Sequence, residues 1–174
     1  SDAVGFTLAS TMMFNDPLSR ARLTLPRRRS GTVTKSDLLA RVVASQMPLV
    51  AISSPAGYGK TTLMVDLAMT DPRPCAWLSL DPRDDDPTLL IGSFAAALRS
   101  LGVIDDEALC DVGSPGAPAL AGLASRLIAS LSEASPFALF VDDLHVVDNR
   151  DGHDAVNLLV DHLPAGSTIV AASR

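Results

Sequence analysis

Aromatic residues are scarce in this chain: they make up 4% of 174 residues, with one tryptophan and one tyrosine. Cysteine is nearly absent too. Cys75 and Cys110 stand alone among apolar or small neighbours, without metal-ligand spacing, so a zinc site is excluded and reduced or buried thiols of a cytoplasmic protein are expected. No apolar run approaches the roughly 18 residues that a membrane helix needs. No basic segment followed by an apolar core opens the sequence, so a signal peptide is not expected. No internal repeat is visible. Excess positive charge is also missing: the net charge is −6 and the pI about 4.8, which argues against a nucleic-acid-binding surface. The charge is uneven. Residues 1–47 hold 7 Lys/Arg against 3 Asp/Glu, whereas residues 48–174 hold 7 against 17. Arg27-Arg28-Arg29 is the densest basic spot, and reads equally as a solvated linker or a docking element.

What is present is an apolar content of 47%, rich in Ala, Leu and Val, in a chain long enough for one domain with a substantial core. That composition suits a parallel α/β sheet covered by small-residue helices. Strand-like runs fall at 48–53, 75–80, 137–141 and 168–172. Helical patterns fall at 61–68, from Pro87 to about Ser100, at 119–132 and at 154–162. Residues 1–34 read as a partly irregular N-terminal arm, with Pro17 and Pro26 as breakers, and 35–174 as the core, with a short helix starting near Ser36. Residues 102–118 read as a loop.

The most informative stretch is Ser54-Pro55-Ala56-Gly57-Tyr58-Gly59-Lys60-Thr61-Thr62, placed between a buried-type strand and a helix. Strand, glycine-rich turn and helix together form the context of a phosphate-binding loop. Gly57 and Gly59 let the backbone approach a phosphate, and the helix N-terminus adds unpaired N–H groups and its positive dipole end. Lys60 supplies a mobile charge for the β- and γ-phosphates, and the Thr61 hydroxyl is placed for Mg²⁺. The pattern ordinarily opens on glycine; here that position is Ser54.

A second candidate site follows the third strand. Asp142-Asp143 falls where ligands bind at the carboxyl ends of strands in open α/β sheets. Asp142 is the expected Mg²⁺ partner, through water, and Asp143 the residue that orients or polarises an attacking water. The shorter Asp, where many ATPases of this type carry Glu, points to slow hydrolysis. His145 reads as a nucleotide-state sensor or as a residue satisfying a loop hydrogen bond. His153 and His162 lie on a surface helix and carry no role. Asp81 to Asp86 reads as a helix-capping loop or as a second ion site.

Taken in order, the loop at 54–62, Ala76-Trp77-Leu78-Ser79-Leu80-Asp81 with its acidic extension, Val141-Asp142-Asp143-Leu144-His145 and Ser173-Arg174 resemble the nucleotide-binding domain of MalT-like large ATP-binding regulators of the LuxR family. These belong to the signal-transduction ATPases with numerous domains. The resemblance covers about residues 26–174, and Ser54 is that family's usual opening. It implies a P-loop NTPase three-layer sandwich, truncated after the fourth core strand, that binds ATP or ADP with Mg²⁺ and is at most a slow ATPase. It places the fourth strand between the loop strand and the Asp142 strand, with Arg174 aimed at the γ-phosphate. It also places Val33 near the adenine, although Thr34 and Lys35 replace the Pro and Arg of the family's arm motif. DNA, an inducer and self-association would be partners of the full-length protein. The chain then reads as an excised N-terminal fragment, an expectation that Ser1 in place of Met supports, with weak binding and little turnover and with no nucleic-acid site of its own. Two alternatives remain: a small P-loop kinase acting on a metabolite, and a non-hydrolysing interaction module. A kinase needs an arginine-bearing lid, and residues 146–167 offer Arg150 alone.

Overall fold

A computed structural model describes residues 17–27, 41–42, 47–104 and 117–174. Its centre is a parallel four-stranded sheet: β1 (Leu49–Ser53), β2 (Cys75–Ser79), β3 (Ala138–Asp142) and β4 (Thr168–Ser173). The spatial order is β1-β4-β3-β2, so β4 separates the strand ahead of the glycine loop from the strand that ends at Asp142. The registers pair Ser53 with Ser173, Val141 with Ala171 and Ser79 with Asp142, which brings the four carboxyl ends to one edge.

Alternation along the strands explains why both faces are covered. Leu139, Val141, Ile169 and Ala171 enter one core with Phe94, Leu98, Leu123, Leu127 and Leu159. Those partners come from α3 (Pro87–Ser100), α4 (Ala117–Glu133) and α5 (Arg150–Asp161). Ala138, Phe140, Val170 and Ala172 enter the other core with Leu63, Met64 and Leu67 of α2 (Lys60–Thr70). There Trp77 and Phe140 stack with ring centroids 6.3 Å apart. Helices on both faces of a parallel sheet make this an α/β three-layer fold of the P-loop type.

Pro17 starts a helix rather than breaking one: α1 spans Pro17–Arg22. Proline's fixed φ suits the first helical position, where its missing N–H costs nothing. Similarly, α5 begins at Arg150, four residues before the sequence expectation. The Asn149 side chain accepts from the Gly152 N–H at 2.7 Å and caps the helix ahead of Gly152. The helix expected from Ser36 and the loop at 102–118 lie wholly or mostly outside the described residues. Val33, Arg28, Arg29 and Cys110 lie outside them entirely.

Cys75 is half-buried at the start of β2, and its Sγ lies 3.2 Å from the Arg73 carbonyl oxygen. Burial, reinforced by the nearby Asp71 carboxylate, pushes its thiol up to about 11. At pH 8 the thiol therefore stays protonated. With Cys110 replaced by serine, alkylation by iodoacetamide at pH 8 is expected to be on the order of a hundredfold slower than for an ordinary cysteine. A rate like that of a free thiol would contradict this environment. No helix among the described residues is long and apolar enough to cross a membrane.

Candidate functional site

The carboxyl edge of the sheet opens into a cleft of about 420 Å³. Its walls come from segments far apart in sequence: Ala56, Gly57, Gly59, Lys60, Thr61, Thr62 and Val65; Asp142 and Asp143; Arg174; and Pro26 with Arg27.

The loop is built by its glycines. Gly57 and Gly59 adopt φ values of 85° and 80°, in the left-handed region that side-chain-bearing residues rarely enter. A Cβ at either position would meet nothing within 4 Å, so the demand is for the dihedral and not for space. Gly59 is also the N-cap of α2 and provides no side-chain acceptor, which leaves the first amides of that helix uncapped by any side chain. Lys60 folds back along the loop: its Nζ donates to the Ser54 carbonyl and, at 3.1 Å, to that of Pro55. Tyr58 stands 71% exposed. Neither it nor Pro55 lines the cleft.

Asp142 closes the opposite wall at 8% exposure. Its Oδ2 accepts from the Thr61 hydroxyl at 2.8 Å and its Oδ1 from the Asp143 N–H at 3.0 Å. The Thr61–Asp142 bond spans 81 residues of sequence and joins the loop helix to β3 across the position of β4. Asp143 takes φ 61°, uncommon for a residue with a side chain, and leads into a 3-10 turn over Leu144–Val146. Its carboxylate is about half exposed and lies 3.6 Å from His145 Nδ1, a buried atom that has no hydrogen-bond partner among the described residues.

The acidic segment proves to be structural. Asp81 and Asp84 form a capping box on the 3-10 turn Pro82–Asp85, and Asp86 caps α3 by accepting from Thr88 and Leu89 N–H groups at 2.8 and 3.1 Å. Asp85 accepts from the Asp148 and Asn149 N–H groups at 2.9 and 3.2 Å, fastening the segment to the turn beyond Asp143. Each carboxylate is already committed. The Arg83 side chain, donating to Asp81, holds that carboxyl down at about 2. Among the described residues no group of three or more His, Cys, Asp or Glu could hold a metal ion. The Thr61 hydroxyl and Asp142 carboxylate are hard oxygen donors of the kind Mg²⁺ accepts when phosphates and waters complete its shell.

Of the residues singled out from sequence, the fold brings Ala56, Gly57, Gly59, Lys60, Thr61, Thr62, Asp142, Asp143 and Arg174 to one cleft. Val33 falls outside the described residues. Pro26, Arg27 and Val65 are additions; the basic run at 27–29 was the available hint for Arg27.

No protein-family model matches the chain. It is 33% identical, over 159 residues, to the HTH-type transcriptional regulator MalT of Klebsiella pneumoniae subsp. pneumoniae, and 31% identical over the same length to that of Serratia proteamaculans. Each alignment takes in 88% of this chain and 17% of the relative. The chain is MalT-like. It spans about a sixth of the length of the regulators it matches.

Proposed function

We propose that this MalT-like segment is the ATP-binding switch module of a transcriptional regulator. The observation that carries the reading is the Thr61–Asp142 bond at 2.8 Å. It sets a helix-N-terminal hydroxyl and a buried carboxylate side by side, facing a glycine loop with an ammonium group at its end. That is the donor set for a nucleoside triphosphate with its magnesium ion. The uncapped start of α2 and the Gly57–Gly59 backbone would receive phosphate oxygens, Lys60 would exchange its two carbonyls for the β- and γ-phosphates, and Thr61 and Asp142 would hold Mg²⁺, which when bound neutralises phosphate charge. Asp143 is the candidate for orienting a water, and Arg174, at the end of β4 between the other two walls, for reporting on the terminal phosphate. Turnover is expected to be slow, and ATP would act by favouring one state of the full regulator over another. DNA, inducer and self-association would be engaged by that full protein.

A metabolite kinase is disfavoured by Arg150. It lies 3.8 Å from Asp154 on the exposed side of α5 and does not line the cleft. Calorimetric titration with ATP·Mg²⁺ tests the proposal. Saturable binding in the micromolar to millimolar range is expected, and absence of binding at millimolar ligand, by this chain and by a longer one, would refute it.

A further inference from the structure

Arg22, the last residue of α1, reaches into the core edge. Its guanidinium pairs with Asp84, a carboxylate only 1% exposed, donates to the Ser79 carbonyl at 2.9 Å and lies 3.4 Å from an Asp81 oxygen. Asp84 is itself held by the Ser93 hydroxyl at 2.6 Å and the Asp81 N–H at 2.7 Å. A short helix of six residues has little stability of its own, so this clamp, with Leu23 packed on the core beside it, fixes α1 against β2. Four residues after the clamp the chain arrives at the cleft, where Pro26 and the exposed Arg27 form part of the wall. Among the described residues, Arg27 brings the cleft a third basic side chain beside Lys60 and Arg174.

We propose that Arg27 is a further phosphate-contacting residue of this site, and that the Arg22–Asp84 clamp is what delivers it there. This rests on the nucleotide reading above and deepens it: the ligand class is a nucleoside polyphosphate, gripped by the N-terminal arm as well as by the loop. The chemistry favours arginine, whose planar fork binds phosphate oxygens in pairs and keeps its charge at any physiological pH. Arg22 touches no ligand; it is a positioning residue.

Calorimetry with ATP·Mg²⁺ and with adenosine, on the whole chain, separates the possibilities. Arg27→Ala is expected to weaken ATP about tenfold, the loss of one charge-assisted contact, and to flatten the dependence of affinity on salt. Adenosine, which has no phosphate, is expected to bind both forms alike. Arg22→Ala should weaken ATP to a similar degree, with partial recovery in Arg22→Lys. The Arg22→Ala/Arg27→Ala double variant should be no weaker than either single one, because the two act in series. Losses that add, or an Arg22→Ala variant that lowers only the melting temperature, would remove the clamp from the proposal. An unchanged ATP affinity in Arg27→Ala, with Lys60→Ala still defective, would overturn the Arg27 contact and leave the nucleotide reading standing. An equal loss for adenosine would overturn it in favour of a base contact. No ATP binding at millimolar ligand, by the unmodified chain and by a longer one, would overturn both.

Discussion

Lys60→Ala is expected to weaken ATP binding by at least on the order of a hundredfold while the fold survives. The two effects separate because Lys60 does different things in the two states. Without ligand its ammonium rests on the carbonyls of Ser54 and Pro55 at the partly exposed mouth of the loop. Those carbonyls can turn to water when it is removed, so the stability cost is on the order of 1 kcal/mol, a shift of about 2–4 °C in melting temperature for a chain of this size. With a nucleotide bound, the same group would face several phosphate oxygens at once, in a cleft whose opposite wall is the carboxylates Asp142 and Asp143. Arg27 and Arg174 also line the cleft, but Lys60 is the basic side chain at the loop's own end, where the backbone cradles the phosphates, and a loss of about 2.7 kcal/mol corresponds to a hundredfold. Lys60→Arg should recover little, since a wide planar fork does not fit the place of a compact ammonium at the loop's end. Calorimetry paired with thermal melts checks both arms; an alanine variant that binds ATP within about threefold of the unmodified chain would remove Lys60 from the site.

Asp84→Ala is expected to destabilise the chain by about 3–5 kcal/mol, the largest effect of any polar substitution proposed for it. Asp84 is buried and serves three donors at once: the Arg22 guanidinium, the Ser93 hydroxyl and the Asp81 N–H. Alanine takes this acceptor from all three and leaves the partly buried Arg22 guanidinium with only the Ser79 carbonyl and the more distant Asp81 carboxylate. The damage should not be confined to that point, because the capping box holds the segment that Asp85 fastens to Asn149 at the start of α5. Arg150→Ala breaks an exposed pair on that helix and should change stability by no more than about 0.5 kcal/mol. Urea denaturation of the two variants provides the comparison. A cost below about 1 kcal/mol for Asp84→Ala would mean that the clamp is not formed in solution.

Features legible in the sequence were the local ones. Four apolar runs became the four strands, with ends displaced by a residue or so: β3 was expected at 137–141 and occupies Ala138–Asp142, taking Asp142 in as its last residue. The glycine loop was readable because positive φ at two nearby positions, followed by a lysine and a hydroxyl, is a pattern written in adjacent residues. Misplaced features were those in which one residue has two meanings. Pro17 could break a chain or begin a helix, and the start of the last helix was expected at Asp154 and falls at Arg150, where the Asn149 side chain caps it. The acidic segment at 81–86 left capping and ion binding open, since the same carboxylates serve either purpose. Its donors decided the matter, and three of them, Arg22, Asp148 and Asn149, lie 62 to 64 residues away from the carboxylates they serve.

The sequence alone therefore determined the class of this protein: a parallel α/β sheet with a glycine loop, a paired-aspartate strand end and a MalT-like order of motifs. Periodicity and turn chemistry are short-range properties, and the order of motifs is read along the chain without reference to space. The resemblance already implied β4 between the loop strand and the Asp142 strand, and the order β1-β4-β3-β2 has it there. Only the tertiary structure decided the direct Thr61–Asp142 bond and the Arg22–Asp84 clamp that brings Arg27 in from the arm. Those contacts join residues whose separation along the chain carries no trace of their distance in space, because burial of the sheet's two apolar faces, and not any local preference, brings them together.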